Sequence, residues 1–550
     1  MSSSSAEHQS KGSSESLPPP SDKHRRISGV TVPLFSLRSD RSWGIGEIGD
    51  LPEFAAWAST AGLRLVQLLP LNEMSGGETS PYSALSAFGI DPIYISLSAV
   101  PELPAEALGE ALGDEAGALE NARKSERVDY EAVRRLKTRA LRFAFDRFER
   151  EHHAQKTPRA AEMAAFVKQQ ADWLPDYAQY RAFKDGFNGA AWWQWPDEIR
   201  DRKPEALEAL RRERARDILY YEYVQWLAHT QWEEARADLR GKGMEIMGDL
   251  PFMVSRDSAD VWAHQGEFRH DMSVGAPPDQ FDRDGQNWGL PPYFWDRMRE
   301  NDFAWLRRRC RYTGLLFDRF RIDHLVGFYR TYIFPEGWKR GQGGDGPKPT
   351  FDPAEEPQQR EHGVRVVRAM IEGAAETGAQ LVAEDLGAVP PWVRASLTEL
   401  GVPGYKVLIW EKDDVVFRNP ADYPALSVAC FGTHDTSSVV SWWESLEERE
   451  RNGVLDLPQL APRRQEFDKQ FTKETHRALL DLIHGAGSEL VLLLLQDVLA
   501  TRERINTPGT VGPENWTLRL AAPPAELERD PEVQAALERV RESIRASGRG

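Results

Sequence analysis

Eight short runs rich in Leu or β-branched residues, each bounded by Gly, Pro or Asp, constrain the fold of this chain more than any other feature. They fall at residues 30–34, 63–69, 243–250, 314–322, 380–383, 405–410, 426–431 and 489–495. Helical patterns separate them. Strands that alternate with helices build a parallel α/β sheet, and eight of them close a (β/α)8 TIM barrel. A doubly wound open sheet usually stops at fewer strands, and pattern alone leaves it open.

One interval breaks the rhythm. Between residues 69 and 243 the chain runs several times the ~30 residues that a βα unit needs. The excess reads as an insertion at 99–234, and Val133, Leu136, Ala140 and Phe143, like Trp173, Tyr177 and Tyr180, recur at helical spacing within it. The barrel is then assigned to 29–98 and 235–522. Gly, Pro and Asp crowd residues 268–295 after the third strand, which predicts a long loop over the active-site face. Residues 523–550 read as a short surface helix and tail. Residues 1–28, rich in Ser and Pro, read as a disordered tail without the apolar stretch of a secretory signal.

Composition removes several function classes. Lys and Arg number 69 against 86 Asp and Glu, and the net charge of −17 repels phosphate backbones and anionic lipid surfaces, so neither nucleic acid nor membrane is expected as a partner. No run is apolar enough to span a bilayer. Two cysteines, Cys310 and Cys430, are too few for a disulfide framework and fit a reducing cytoplasm. Trp occurs 18 times; core packing must take most of these rings, but aromatic faces also suit the apolar faces of sugars.

In barrel enzymes the chemistry sits where strands end. Here the ends are acidic: Gly248-Asp249-Leu250-Pro251 closes the third, Arg321-Ile322-Asp323-His324 the fourth, Ala383-Glu384-Asp385 the fifth and Thr433-His434-Asp435 the seventh. Converging carboxylates raise one another's pKa, which serves a reaction that needs one acid protonated beside another that is ionised. Glycoside cleavage is such a reaction. Arg321, two residues before Asp323, faces the same side of its strand and keeps that aspartate charged. Taken singly, each acid reads equally well as a helix cap or ion-pair member.

Two other motifs point elsewhere. His324 and His434 beside acids resemble a hydrolytic metal site, but no His-x-His or His-Glu-x-x-His spacing supports one, and no metal is expected. Gly44-Ile45-Gly46-Glu47-Ile48-Gly49 matches a dinucleotide fingerprint, with Glu73 as a ribose acid. Its glycines do not follow the first strand directly, which argues against that reading.

The ordered set resembles the amylomaltase or 4-α-glucanotransferase family, glycoside hydrolase family 77 of the α-amylase clan. Its members are Ser80-Pro81-Tyr82, Trp192 to Pro196, Asp257 to Trp262, Pro277-Pro278-Asp279, Gly285-Gln286-Asn287-Trp288-Gly289, the strand-end motifs above and Asn506-Thr507-Pro508-Gly509-Thr510. The resemblance implies Asp323 as nucleophile, Glu384 as acid/base and Asp435 as transition-state stabiliser. It also implies Arg321, His434, Asp249, Tyr82, Trp288, Gln286, His324 and Asn506 around the sugar. Segments of an α-1,4-glucan donor would pass to glucose or a maltooligosaccharide acceptor by a retaining double displacement, without metal or organic cofactor, in the cytoplasm. A retaining α-glucan hydrolase shares these acids, and a non-catalytic glucan-binding protein shares the cleft. Glu47 stands where relatives often have Asp, and the Ser-rich tail departs from the pattern. Relatives lack the C-terminal β-sandwich common among amylases, and nothing after Leu520 is long enough to supply one, which favours the transferase branch.

Overall fold

A computed structural model describes residues 26–278, 284–340 and 348–550. Most of the Ser/Pro-rich tail, and Asp279 of the Pro277-Pro278-Asp279 motif, lie outside the described residues. Eight parallel strands close a barrel: β1 (Ile27–Thr31), β2 (Leu65–Gln67), β3 (Glu245–Leu250), β4 (Arg319–Ile322), β5 (Gln380–Ala383), β6 (Gly404–Val407), β7 (Ser427–Cys430) and β8 (Leu490–Leu494). Each pairs with its sequence neighbour, and β8 returns to β1.

Alternation along the strands fills the lumen. Ile27, Leu65, Met247, Val382, Tyr405, Val407, Val428, Cys430, Leu490 and Leu492 pack into a cluster of their own. Each apolar member contributes about 2 kcal/mol by leaving water. Since side chains repeat with period two, the residue two places beyond an inward one also faces inward but nearer the mouth. Asp249 follows Met247 in this way and Glu384 follows Val382, so the packing of the lumen aims both carboxylates at one rim. In register, Asp249 pairs with Arg321.

Four sequence expectations change in detail. β1 begins at Ile27, inside the segment assigned to the tail, because Ile27 fills the lumen and the Ser28 hydroxyl pairs with His484 Nε2 at 3.0 Å. The first residues of the run at 314–322 end the helix Ala304–Leu316 instead of starting β4. The stretch after β3 is not only loop: Met272–Ala276 and Gln286–Leu290 join Thr331–Pro335 and Thr350–Asp352 in a four-stranded antiparallel sheet. The C-terminal segment has the expected helix, but the residues after it are anchored instead of forming a tail. Its helix Pro531–Ser547 packs on Lys473–His484, and the wholly buried Arg549 guanidinium donates to the carbonyls of His484, Ala486, Ser488 and Glu489.

The long interval between β2 and β3 is mainly helical. Val133, Leu136 and Ala140 are buried on the helix Tyr130–Phe148, and Tyr177 and Tyr180 on Leu174–Gly186. The 27-residue helix Ala215–Gly241 crosses the boundary drawn at 234/235 unbroken and leads into β3. The insertion and the barrel therefore share one continuous element. The glycine-rich Gly44–Gly49 segment is a packing device: a Cβ on Gly46 would lie 2.0 Å from the Leu34 carbonyl oxygen. Its Glu47 is buried against Lys137 Nζ at 2.7 Å.

Candidate active site

Four of the strand-end motifs meet in one hydrogen-bonded network. Arg321, in the fourth strand, is its centre. Its Nη1 reaches both oxygens of Asp249, at 2.9 and 2.7 Å, and its Nη2 donates to Asp323 Oδ1 at 2.7 Å. Asp323 Oδ2 has no protein partner among the described residues. The loop after β2 brings Tyr82 over Asp249, and its hydroxyl donates to Asp249 Oδ2 at 2.8 Å and lies 3.0 Å from His434 Nε2. The Tyr82 and His434 rings stack at 5.7 Å, with Trp516 packed against both. The turn after β7 then places Asp435 Oδ2 3.4 Å from His434 Nε2, while Asn506 Nδ2 donates to Asp435 Oδ1 at 2.6 Å.

Electrostatics separates the acids. Burial is the main force raising Asp249, against the pull of Arg321. Glu384 is pushed up to about 7, first by burial and also by Asp323, while Arg321 and the amides of Leu386 and His324 oppose the shift. Those amides donate to opposite oxygens of Glu384: Leu386 N to Oε1 and His324 N to Oε2, both at 2.8 Å. Near neutral pH this carboxyl can both give and take a proton, beside an aspartate held by a guanidinium. That division of labour is what acid-assisted glycosyl displacement demands.

The remaining residues fall into two groups. His324 lies in the left-handed region (φ 45°), and burial pushes its imidazole down to about 4, so it is neutral. Its ring meets the edge of Trp288 at 5.1 Å. Trp288 and Gln286 occupy the exposed strand Gln286–Leu290, Trp288 with 37% of its surface open. Among the described residues, neither side chain hydrogen-bonds to the carboxylates; Trp288 Nε1 donates to Gln286 Oε1 at 3.5 Å. Tyr82 is held by its hydroxyl in the network, with its ring packed against His434 and Trp516.

Sequence reasoning missed several residues. Trp410 follows β6, between the strands that carry Glu384 and Asp435, and is 51% exposed. Its position at a strand end was the available signal, obscured because the residue is apolar and reads as strand. Arg504 donates to the Asp435 carbonyl at 2.5 Å, and Trp516 wedges the stack; both come from an irregular segment without periodicity. Among the described residues no group of three or more His, Cys, Asp or Glu is arranged to hold a metal ion.

Comparison with known proteins agrees with this geometry. The family model described as 4-alpha-glucanotransferase, glycoside hydrolase family 77, matches residues 32–524. A 4-alpha-glucanotransferase of Chlamydia pneumoniae is 31% identical over 515 residues, covering 90% of this chain and 91% of its own. One from Synechocystis sp. is 32% identical over 508 residues, covering 90% and 94%. The solved amylomaltase from Streptococcus agalactiae in complex with acarbose superposes with a TM-score of 0.79 at 26% identity, covering 96% of this chain and 100% of that one. An eight-stranded barrel with these acids on its rim, matched along nearly its whole length, places the chain in the 4-alpha-glucanotransferase family, glycoside hydrolase family 77.

Proposed function

We propose that Asp323 is the nucleophile, Glu384 the general acid and base, and Asp435 the stabiliser of the oxocarbenium-like transition state. In the first displacement Asp323 Oδ2 bonds to the anomeric carbon, the bond to the leaving glucan's O4 breaks, and Glu384 gives its proton to that oxygen. In the second, the 4-hydroxyl of an acceptor loses its proton to Glu384 and attacks the same carbon, releasing Asp323. Two inversions restore the α configuration. Arg321 fixes Asp323 and withdraws one of its oxygens from competition, and Asn506 does the same for Asp435. Asp249, His434 and Tyr82 are held where they can bind the sugar at the cleavage point.

Transfer, as opposed to hydrolysis, depends on the acceptor reaching the glycosyl-enzyme before water does. The exposed rings of Trp410 and Trp288 support this, since each can carry the apolar face of a sugar. The substrates are α-1,4-glucans, with glucose or maltooligosaccharides as acceptors, and the enzyme works in the cytoplasm. Two free, buried cysteines support that location, and among the described residues no helix is long and apolar enough to cross a membrane.

The observation that carries this reading is the unbroken chain from Asp323 through Arg321, Asp249, Tyr82 and His434 to Asp435, with Glu384 poised at about 7 beside it. Incubation with pure maltotriose tests it. Glucose together with a ladder of longer chains is expected; maltose and glucose alone would make the protein a hydrolase.

A further inference from the structure

We propose that His324 is a positioning residue that acts through its backbone: its left-handed conformation points the amide N–H at Glu384 Oε2. The inference rests on the reading of Glu384 as acid/base and adds how that residue is kept able to work in both directions.

Main-chain contacts bind the two strand ends closely. Glu384 N donates to the Ile322 carbonyl at 3.0 Å and Leu325 N to the Glu384 carbonyl at 3.1 Å. Between these two bonds the chain turns at His324, with φ 45° and ψ 47°. A non-glycine residue rarely adopts that region, and it persists only where surroundings enforce it. Here they do. The imidazole sits against Phe252 at 5.2 Å and Trp288 at 5.1 Å, both edge-on. Gly327 makes room for it, since a Cβ there would lie 2.8 Å from His324 Cδ2 and 2.4 Å from Phe252 Cζ. Ring packing therefore holds the turn, and the turn supplies the donor.

The consequence concerns proton balance. Burial and Asp323 favour the protonated form of Glu384; Arg321 and the two amides favour the anion. Of the charged side chains that face it, Arg321 and Asp323 act most strongly, and His324 is neutral. The first displacement uses the acid and the second uses the base, so a carboxyl held only by burial would stall after the first. Without the His324 amide, Glu384 ionises at higher pH and the deglycosylation step slows.

The pH dependence of kcat/KM with maltotriose separates the backbone from the ring. His324→Val, whose branched Cβ opposes a left-handed turn, is expected to move the alkaline limb upward by about one unit. His324→Gly, which enters that region freely, is expected to leave the limb in place although it lacks the ring. His324→Asn and His324→Ala should fall in that order between them, so the series decides even if the Val variant does not fold. A limb that moves equally in the Gly and Ala variants, or in none, overturns the proposal. The underlying assignment is tested apart from it, with an α-maltosyl fluoride donor whose leaving group needs no proton. Glu384→Gln should then form the glycosyl-enzyme with no alkaline limb, whereas a limb retained in that variant overturns the role of Glu384 itself.

Discussion

Two glutamates, one at the junction of barrel and insertion and one at the barrel mouth, are both pushed up to about 7, and loss of solvent around the carboxyl is the main cause in each. Glu47 is 1% exposed; its carboxylate takes Lys137 Nζ at 2.7 Å and the Trp43 amide at 3.0 Å, and its own amide is capped by Asp50. Lys137 in turn donates to the carbonyls of Ile93 and Ile95. This closed ion pair ties the insertion's helix Tyr130–Phe148 to the barrel. Glu384 has no lysine, is half-buried at an open rim, and is held by amides that fix its direction without consuming its proton. A shifted pKa thus marks burial in both places, and chemistry only where the group faces a cleft and a second acid.

The sharpest test of that contrast is substitution at each glutamate and at the proposed nucleophile. Glu384→Gln and Asp323→Asn are expected to cut kcat on maltotriose by about four orders of magnitude while the circular dichroism of the fold is kept. Glu47→Gln should retain turnover, and a comparable loss there would erase the distinction.

Next comes pH. Glu384 carries its proton below about 7 and loses it above, so kcat/KM should hold on the acid side of 7 and fall about tenfold per unit above it. The same limb should persist in Glu47→Gln; a displaced limb would assign the titration to the junction instead of the rim.

Stability should show the reverse pattern. Lys137→Met leaves the Glu47 carboxyl buried without its cation and is expected to cost about 3 kcal/mol in urea denaturation, with kcat little changed. A cost near zero would mean that Glu47 is protonated in the folded protein and needs no cation.

The smallest effects belong to the exposed rings. Trp410→Ala should raise the acceptor KM by about threefold to tenfold, the size of one aromatic contact, and Trp288→Ala should raise the ratio of hydrolysis to transfer. Product analysis that shows neither change would remove those residues from acceptor binding.

Eight Leu-rich and β-branched runs, and acids at the ends of four of them, pointed to a barrel and to the strand ends that hold Asp249, Asp323, Glu384 and Asp435, because period-two alternation and the strand-end rule are local properties of the chain; closure of the sheet and its strand order came from the structure. The sheet of Met272–Ala276, Gln286–Leu290, Thr331–Pro335 and Thr350–Asp352 was hidden among Gly, Pro and Asp, since its central pairing joins Met272–Ala276 to the distant Thr331–Pro335 and its strands are half exposed. The hydrogen-bond partners of Tyr82 were hidden for a related reason. Its hydroxyl finds Asp249 and His434, 167 and 352 residues away, and no local pattern reports such partners.

What the sequence alone determined is therefore that acids stand at the ends of four barrel strands, and which end of which strand presents them. Only the tertiary structure decided their states: that Asp323 is bound on one oxygen, that Glu384 is poised near neutrality by burial against two amides, and that Glu47, with the same shift, is sealed away. Protonation depends on solvent access and on charges brought together across the fold, and neither can be read along a single strand.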